Sequence, residues 1–332
     1  MIKLSVIVPV YNVEQYIEKC ILSIENQDVP KEEYEIIIVN DGTLDNSVAL
    51  IQKLQTIYAN IKLIHKTNGG LSSARNYGMK FAQGDYIWFI DSDDYIEKNI
   101  LKLLLNKAYT EDLDVLCFNN KDIFIETGEI SQKSSLKPNK TVSGLEYLRD
   151  YDIAIVAWSH IAKKELYQKN NIQFTEGIYH EDYEFILTMF EHCLKMTYLD
   201  IYIYNYLVKG SGTITTSKSE SHIIKRLNSW VIILSNLIKK YPSNNDPSSY
   251  VYHAYRWTNV YKFHALSTLL LLPLSYKCKS HFFYKFKELG CFPLGPTYKF
   301  SIRRKFISLI YSCPFLYKNA LKTICLYQKC KH

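Results

Sequence analysis

Four times in its first 110 residues the chain runs from a short apolar stretch into a segment whose apolar residues return at helical spacing. Leu4-Ser5-Val6-Ile7-Val8-Pro9-Val10 leads to residues 13–26, where Val13, Ile17, Ile21 and Ile24 mark one helical face. Residues 35–39 lead to a helix over 45–58, residues 61–64 to one over 72–82, and residues 86–90 to one over 96–109. Strands that are apolar on both faces, separated by helices, predict a buried and mostly parallel sheet with helices on either side. Right-handed crossovers then bring the C-terminal ends of the strands to one rim, where ligands bind in such folds. Residues 114–118 predict a fifth strand and 198–206 alternate like another. Residues 145–151, 181–190 and 217–240 read as helices, the last ending at the linker Tyr241-Pro242-Ser243-Asn244-Asn245-Asp246-Pro247. The expected fold class is α/β, Rossmann-like, with a helical and basic C-terminal extension.

Composition narrows the class further. With 47% hydrophobic residues, 12 Gly and 9 Pro in 332 residues, the chain is neither disordered nor collagen-like. Its longest apolar runs, 265–274 and 306–316, are interrupted by Pro273 and Pro314 and fall short of the ~20 residues of a spanning helix. The N-terminus turns polar by Asn12, so no signal peptide is expected and the chain reads as cytosolic. Eight cysteines, at 20, 117, 193, 278, 291, 313, 325 and 330, form no C-x-x-C pair; free, buried thiols are expected rather than disulfides or zinc. The net charge of +7 is uneven: residues 275–332 carry +11 and the rest −4. A basic tail on an acidic body points to an anionic surface as partner, membrane or nucleic acid.

The strand ends carry the chemistry. Asp91, Asp93 and Asp94 follow the fourth strand within four positions. Carboxylates crowded at the end of a buried sheet need a cation, and a divalent ion bridging to a phosphate supplies one; capping of the next helix is the plainer alternative. Asp41, before Gly42, either accepts from a nucleobase N–H or caps a helix. Residues 68–76, Asn-Gly-Gly-Leu-Ser-Ser-Ala-Arg-Asn, open a helix whose amides and Arg75 suit phosphate, with Ser72 as a simple cap the alternative.

Together these stretches resemble glycosyltransferase family 2 of the bacterial polysaccharide-biosynthesis type: Pro9-Val10-Tyr11-Asn12, Val39-Asn40-Asp41-Gly42 with Asp45, residues 68–78, and Gly84 to Asp94 ending Asp91-Ser92-Asp93-Asp94. The resemblance is strong over residues 1–110 and looser to about 215. It implies a GT-A fold, a nucleotide-sugar donor, expected to be UDP-based, and inversion at the anomeric carbon. By it Pro9, Tyr11 and Asp41 hold the base, with Asn12 beside them. Asn68, Gly69, Arg75 and Ser92 border the donor, Asp91 meets the ribose, and Asp93 ligates Mn²⁺ or Mg²⁺ on the diphosphate.

A later stretch, residues 174–185, is similar to the catalytic signature of the family. The reaction needs a carboxylate on the acceptor side to take the proton of the attacking hydroxyl; the resemblance makes Asp182 that base and Glu181 its neighbour in reserve. The acidic first turn of a helix is the alternative for both. Trp158 and His180 fall on the acceptor side, while His160 reads as a buried, satisfied histidine. Two departures stand out: Thr43 where relatives often carry Ser, and Lys209 where a basic pair is common.

The expected division is a nucleotide-sugar half over 1–110, an acceptor half with the base over 111–216, and a basic helical region over 217–332. Partners implied are the donor, a glycan or lipid-linked acceptor, and peripheral contact of residues 301–332 with the anionic cytoplasmic face of the inner membrane. In the tail Lys318, Lys322 and Lys329 face away from Tyr317, Leu321 and Ile324; a core-packing or dimerising helix, and so a homodimer, is the alternative. No nucleic acid is expected. Two other function classes remain: a nucleotidyltransferase using the same acidic rim, and a non-catalytic binding protein on a degenerate fold.

Overall fold

The computed structural model describes residues 1–132, 137, 138, 140–210, 219–295 and 302–329. The start of the expected 217–240 helix and the residues that follow Gly210 lie outside them. The chain divides into two units, Met1–Gly177 with Glu181–Gly212, and Ile178–His180 with Thr213–His332.

The first unit is built on β1 (Leu4–Val10), β2 (Tyr34–Asn40), β3 (Ile61–His65), β4 (Tyr86–Phe89), β5 (Tyr95–Ile96), β6 (Val115–Phe124), β7 (Ile130–Ser131), β8 (His160–Lys163) and β9 (Met196–Val208). Among the described residues these form one sheet in the order β3-β2-β1-β4-β8-β6-β9-β5, with β7 beside β6. The pairs β1–β2, β1–β4 and β2–β3 are parallel, as the apolar runs predict, and β6–β9 is parallel as well. The short β8, wedged between β4 and β6, is antiparallel to both.

Helices α1 (Ile17–Glu25), α2 (Ser47–Gln55), α3 (Leu71–Met79), α4 (Leu101–Thr110), α5 (Gly144–Asp150), α6 (Lys164–Lys169) and α7 (Asp182–Glu191) accompany the sheet. Every residue of β1 and β2 is buried, which is why both read as continuous apolar runs. The polar residues within them are paired. Ser5 Oγ donates to Glu35 Oε1 at 2.6 Å, Lys62 bonds Glu35 at 2.6 Å, and the Gly84 amide donates to Ser5 Oγ at 2.8 Å. Position 84 must be glycine, because a Cβ there would lie 2.6 Å from the backbone of Leu4 and Ser5.

The second unit contains α8 (Glu220–Lys240), α9 (Tyr250–Leu271), α10 (Tyr276–Glu288), α11 (Ile302–Ser312) and α12 (Pro314–Lys329). Its core is aromatic: Trp230, Tyr261, Phe282, Phe283 and Phe286 are buried. Tyr317 and Leu321 belong to it as well, and the Tyr317 hydroxyl donates to the Leu266 carbonyl at 2.6 Å. That side of α12 is therefore spent on packing, while Leu309, Ile310, Phe315 and Leu326 stay exposed.

Among the described residues no helix is long and apolar enough to cross a membrane. Cys20, Cys117, Cys193, Cys291 and Cys325 are buried free thiols, and Cys278 and Cys313 are free and partly exposed.

Candidate active site

The rim is set by register. Val10 of β1 lies beside Asn40 of β2, so both strands stop together, and β4 ends on the other side of β1. After β1, Asn12 turns into the left-handed region at φ 53°. Its amide donates to Thr43 Oγ1 at 2.7 Å, and its side-chain oxygen accepts from the Leu44 amide at 3.1 Å. Thr43 also donates to Asp45 at 2.7 Å, so its hydroxyl does all that a serine hydroxyl would. Pro9 is buried in β1, whereas the Tyr11 ring next to it is 47% exposed.

Asp41 is buried beneath this turn. Its Oδ1 accepts from the Gly69 amide at 2.9 Å and from Lys66 Nζ at 2.6 Å, and its Oδ2 accepts from the Gly70 amide at 2.7 Å. Asn68 donates to the Asp41 carbonyl at 2.8 Å. The carboxylate thus locks the start of α3, with Gly70 held at φ 86° to present its amide. Three of about four lone-pair directions are occupied.

The three aspartates after β4 have three different partners. Asp91 accepts from Arg75 Nη2 at 2.8 Å. Asp93 binds Lys209 Nζ at 2.6 Å, and the same ammonium sits 3.8 Å from the centre of the Tyr16 ring. Asp94 is buried, accepting from the Tyr204 hydroxyl and the Leu207 amide, each at 2.8 Å. Burial, with Asp93 and Asp91 nearby, raises Asp94 well above the usual carboxylate range. Ser92 between them is buried.

Arg75, on α3, is 1% exposed and reaches further. Its Nη1 donates to Glu181 Oε1 at 2.9 Å and to Asp182 Oδ1 at 3.2 Å, at the start of α7. Its guanidinium carbon lies 5.0 Å from the Phe174 ring centre. One cation facing three carboxylates leaves excess negative charge in a dry place. Burial raises Asp182 to about 7, with Arg75 opposing and Glu181 and Asp91 adding to the rise; burial raises Glu181 and Asp91 as well. The Asp182 side chain keeps 19% exposure, so the proton has a route outward.

Trp158 lies behind the acidic loop, stacked on Tyr204 at 4.3 Å and 5°. Its carbonyl accepts from Trp88 Nε1 at 2.8 Å. His160 is buried against the Tyr167 hydroxyl at 3.2 Å, and burial pulls it down to about 3: the satisfied core histidine expected. His180 belongs to the second unit, where its ring lies 5.2 Å from Trp230.

The structure therefore joins Arg75, Asp91, Glu181 and Asp182 in one cluster. It gathers Asp41, Asn68 and Gly69 in a second, and ties Asn12 to the turn after β2. Sequence reasoning missed Lys66 and Tyr204. Lys66 directly follows β3, so its position at the rim was a usable signal; Tyr204 carried only the alternation of β9.

Among the described residues no group of three or more His, Cys, Asp or Glu could hold a metal. Asp93 offers one carboxylate, 34% exposed. One carboxylate is the protein's share when Mg²⁺ or Mn²⁺ is held mostly by substrate phosphates and water, so the residues fit that arrangement.

A family model described as Glycosyl transferase family 2 matches residues 5–180. The uncharacterized glycosyltransferase YibD of Escherichia coli (strain K12) is 32% identical over 218 residues, 63% of this chain and 62% of YibD. The poly(ribitol-phosphate) beta-N-acetylglucosaminyltransferase TarS of Staphylococcus aureus (strain Mu50) is 30% identical over 214 residues, 64% of this chain and 36% of TarS. The matched region thus spans under two thirds of the length of these relatives. The crystal structure of S. aureus TarS 1–349 in complex with UDP-GlcNAc superposes with TM-score 0.74 at 20% identity, over 100% of this chain and 93% of that one. A Pyrobaculum calidifontis mannosyltransferase in complex with GDP-Man and Mn²⁺ does so with TM-score 0.56 at 14% identity, over 98% and 88%. These likenesses show a GT-A fold.

Proposed function

The chain belongs to glycosyl transferase family 2, and on that premise we propose that it transfers a sugar from a UDP-sugar to a hydroxyl of a cell-surface glycan or lipid-linked saccharide, inverting the anomeric carbon. The observation that carries this reading is the reach of Arg75. One buried guanidinium gathers Asp91 from the end of β4 and Glu181 and Asp182 from the start of α7. A donor side and an acceptor side then meet at a single charged junction.

In this reading Asp182 takes the proton of the attacking hydroxyl in one displacement. A carboxylate held near 7 is a stronger base than a free one and is still about half ionised at neutral pH. Glu181, fixed by Arg75, holds the guanidinium toward it. Tyr11 offers its exposed face to the base, Pro9 shapes the wall behind, and Asp41 has one lone-pair direction left for a ring N–H. Asn12, Asn68 and Gly69 border the nucleotide, and Asp91 and Ser92 meet the ribose. Trp158 backs the acidic loop on the acceptor side.

The UDP-GlcNAc bound by TarS supports a UDP-sugar donor, and the poly(ribitol-phosphate) in its name supports a cell-surface acceptor. Asp93 would hold Mn²⁺ or Mg²⁺, in keeping with the Mn²⁺ complex of the mannosyltransferase. Such an ion supplies positive charge to the departing diphosphate. The exposed Leu309, Ile310 and Phe315 in the basic stretch 302–329 support peripheral contact with an anionic membrane, which co-sedimentation with phosphatidylglycerol vesicles tests.

The deciding experiment offers a panel of UDP-sugars with Mn²⁺ and an acceptor mixture to the wild type and to Asp182→Asn. Acceptor-dependent UDP release by the wild type alone is expected. Pyrophosphate release from a nucleoside triphosphate and a sugar phosphate would overturn the reading in favour of a nucleotidyltransferase.

A further inference from the structure

Lys66 directly follows β3, and the backbone fixes its place at the rim. Its amide donates to the Asn40 carbonyl at 3.0 Å, which carries the β2–β3 ladder one step beyond His65. The side chain then reaches the residue after Asn40. Its Nζ donates to Asp41 Oδ1 at 2.6 Å and to the Thr67 carbonyl at 2.7 Å. An ammonium has three donors, and among the described residues the third meets no partner. The Lys66 side chain is 14% exposed and that of Asp41 4%, so the ammonium is the more accessible half of the pair. Gly69 flanks it, where a Cβ would lie 2.8 Å from Nζ.

The pair thus offers a donor and an acceptor side by side. Asp41 accepts from Lys66 and from the Gly69 and Gly70 amides, which leaves it one lone-pair direction. In a ring amide the N–H nitrogen and the adjacent carbonyl oxygen lie about 2.2 Å apart, given bonds of about 1.33 and 1.23 Å. An edge of that width can meet a donor and an acceptor spaced by 2.6 Å with two nearly parallel hydrogen bonds.

Uracil carries that edge, and guanine carries it too. Cytosine and adenine reverse it, setting a bare ring nitrogen beside an amino group. Against this pair they would place lone pair on lone pair and N–H on N–H. A site whose polar groups are left unmatched in this way rejects the wrong ligand strongly.

We propose that Lys66 is a specificity residue of the donor site: its ammonium donates to the base carbonyl beside the ring N–H that Asp41 accepts, and so selects uracil over cytosine. The proposal rests on the reading of the chain as a UDP-sugar transferase with the base at Asp41.

The test is calorimetric titration of the full chain, with Mn²⁺ present, against UDP, 4-thio-UDP, CDP, GDP and ADP. The wild type should bind UDP about 10- to 100-fold more tightly than CDP. Sulfur accepts weakly, so 4-thio-UDP should bind the wild type several-fold less tightly than UDP, a comparison that needs no variant. Lys66→Met should lose about 10-fold in UDP affinity, lose none for CDP, and bind UDP and 4-thio-UDP alike. A lysine that only neutralised Asp41, or only reached the diphosphate, would weaken every nucleotide by one factor. That equal loss overturns the proposal, as does a wild type that binds 4-thio-UDP as tightly as UDP. Both results leave the UDP-sugar reading standing. A wild type that binds GDP over ADP, and not UDP, strikes the uridine reading and supports Lys66 as reader of the same edge. Binding of no nucleotide at all strikes the donor reading, and this proposal with it.

Discussion

Lys209 bonds Asp93 at 2.6 Å, so the carboxylate assigned to a divalent ion already holds a cation. An ammonium and a metal ion cannot share that oxygen without repulsion. Lys209→Met should therefore tighten Mn²⁺ binding by the nucleotide-free chain several-fold, read by electron paramagnetic resonance. Once displaced, the ammonium is available to the diphosphate, so the same variant should raise the donor KM. Unchanged Mn²⁺ affinity would show that the ion does not bind at Asp93.

Asp182→Asn keeps the shape of the site and removes the proposed base. Transfer should fall by roughly 10²–10⁴-fold, the usual contribution of a positioned proton acceptor. UDP binding in the presence of Mn²⁺ should persist. Titration calorimetry beside the transfer assay separates the two, and an Asn variant that still turns over excludes Asp182 as the base.

The pH dependence follows from the same residue. As the proposed base Asp182 must be ionised to act, and burial holds it near 7, so kcat/KM should rise about tenfold per pH unit below that value and level off above it. Stability should run the other way. The folded chain binds this proton more tightly than the unfolded chain, where the ordinary value is 3.8, so the contribution is complete below that value and is lost as pH rises through about 7. Asp182→Asn escapes the loss. Its melting temperature should match the wild type near pH 4 and exceed it at pH 8, by an amount equivalent to roughly 1–4 kcal/mol.

Removing the shared cation tests the cluster as a whole. Arg75→Met strands Asp91, Glu181 and Asp182 in a dry site, and breaking such a buried arrangement costs about 3–5 kcal/mol. Denaturant unfolding should show that loss at pH 8 and a smaller one at pH 5, where the carboxylates take up protons. Arg75→Lys restores charge but not the fork, so it should recover only part.

Much of this architecture was legible because burial on both faces writes itself into β1 and β2 as unbroken apolar runs. The helices after them announced themselves through apolar spacing. What escaped was short or long-range. β8 is four residues, His-Ile-Ala-Lys, with neither alternation nor length, and its place between β4 and β6 is decided by tertiary pairing. β5 has two residues and exists only because β9 passes beside it.

The site divides along the same line. That Asp41, Asp91, Asp93 and Asp182 gather at strand and helix ends follows from local pattern. Their partners do not: Arg75 meets Glu181 across 106 positions, and Tyr204 meets Asp94 across 110. Nothing near Arg75 in the sequence distinguishes a residue aimed at phosphate from one aimed at carboxylates.

The sealed thiols have a consequence of their own. Cys20 lies under the acidic loop, its Sγ 3.8 Å from the Asp91 carbonyl, and burial raises its pKa well above the ordinary thiol range. A thiolate-seeking reagent meets no nucleophile there while the loop is closed. Alkylation at Cys20 then requires the thiol to be uncovered, and a bound nucleotide that holds the acidic loop in place should slow it. The alkylation rate at Cys20 would thus read how often this buried thiol becomes accessible.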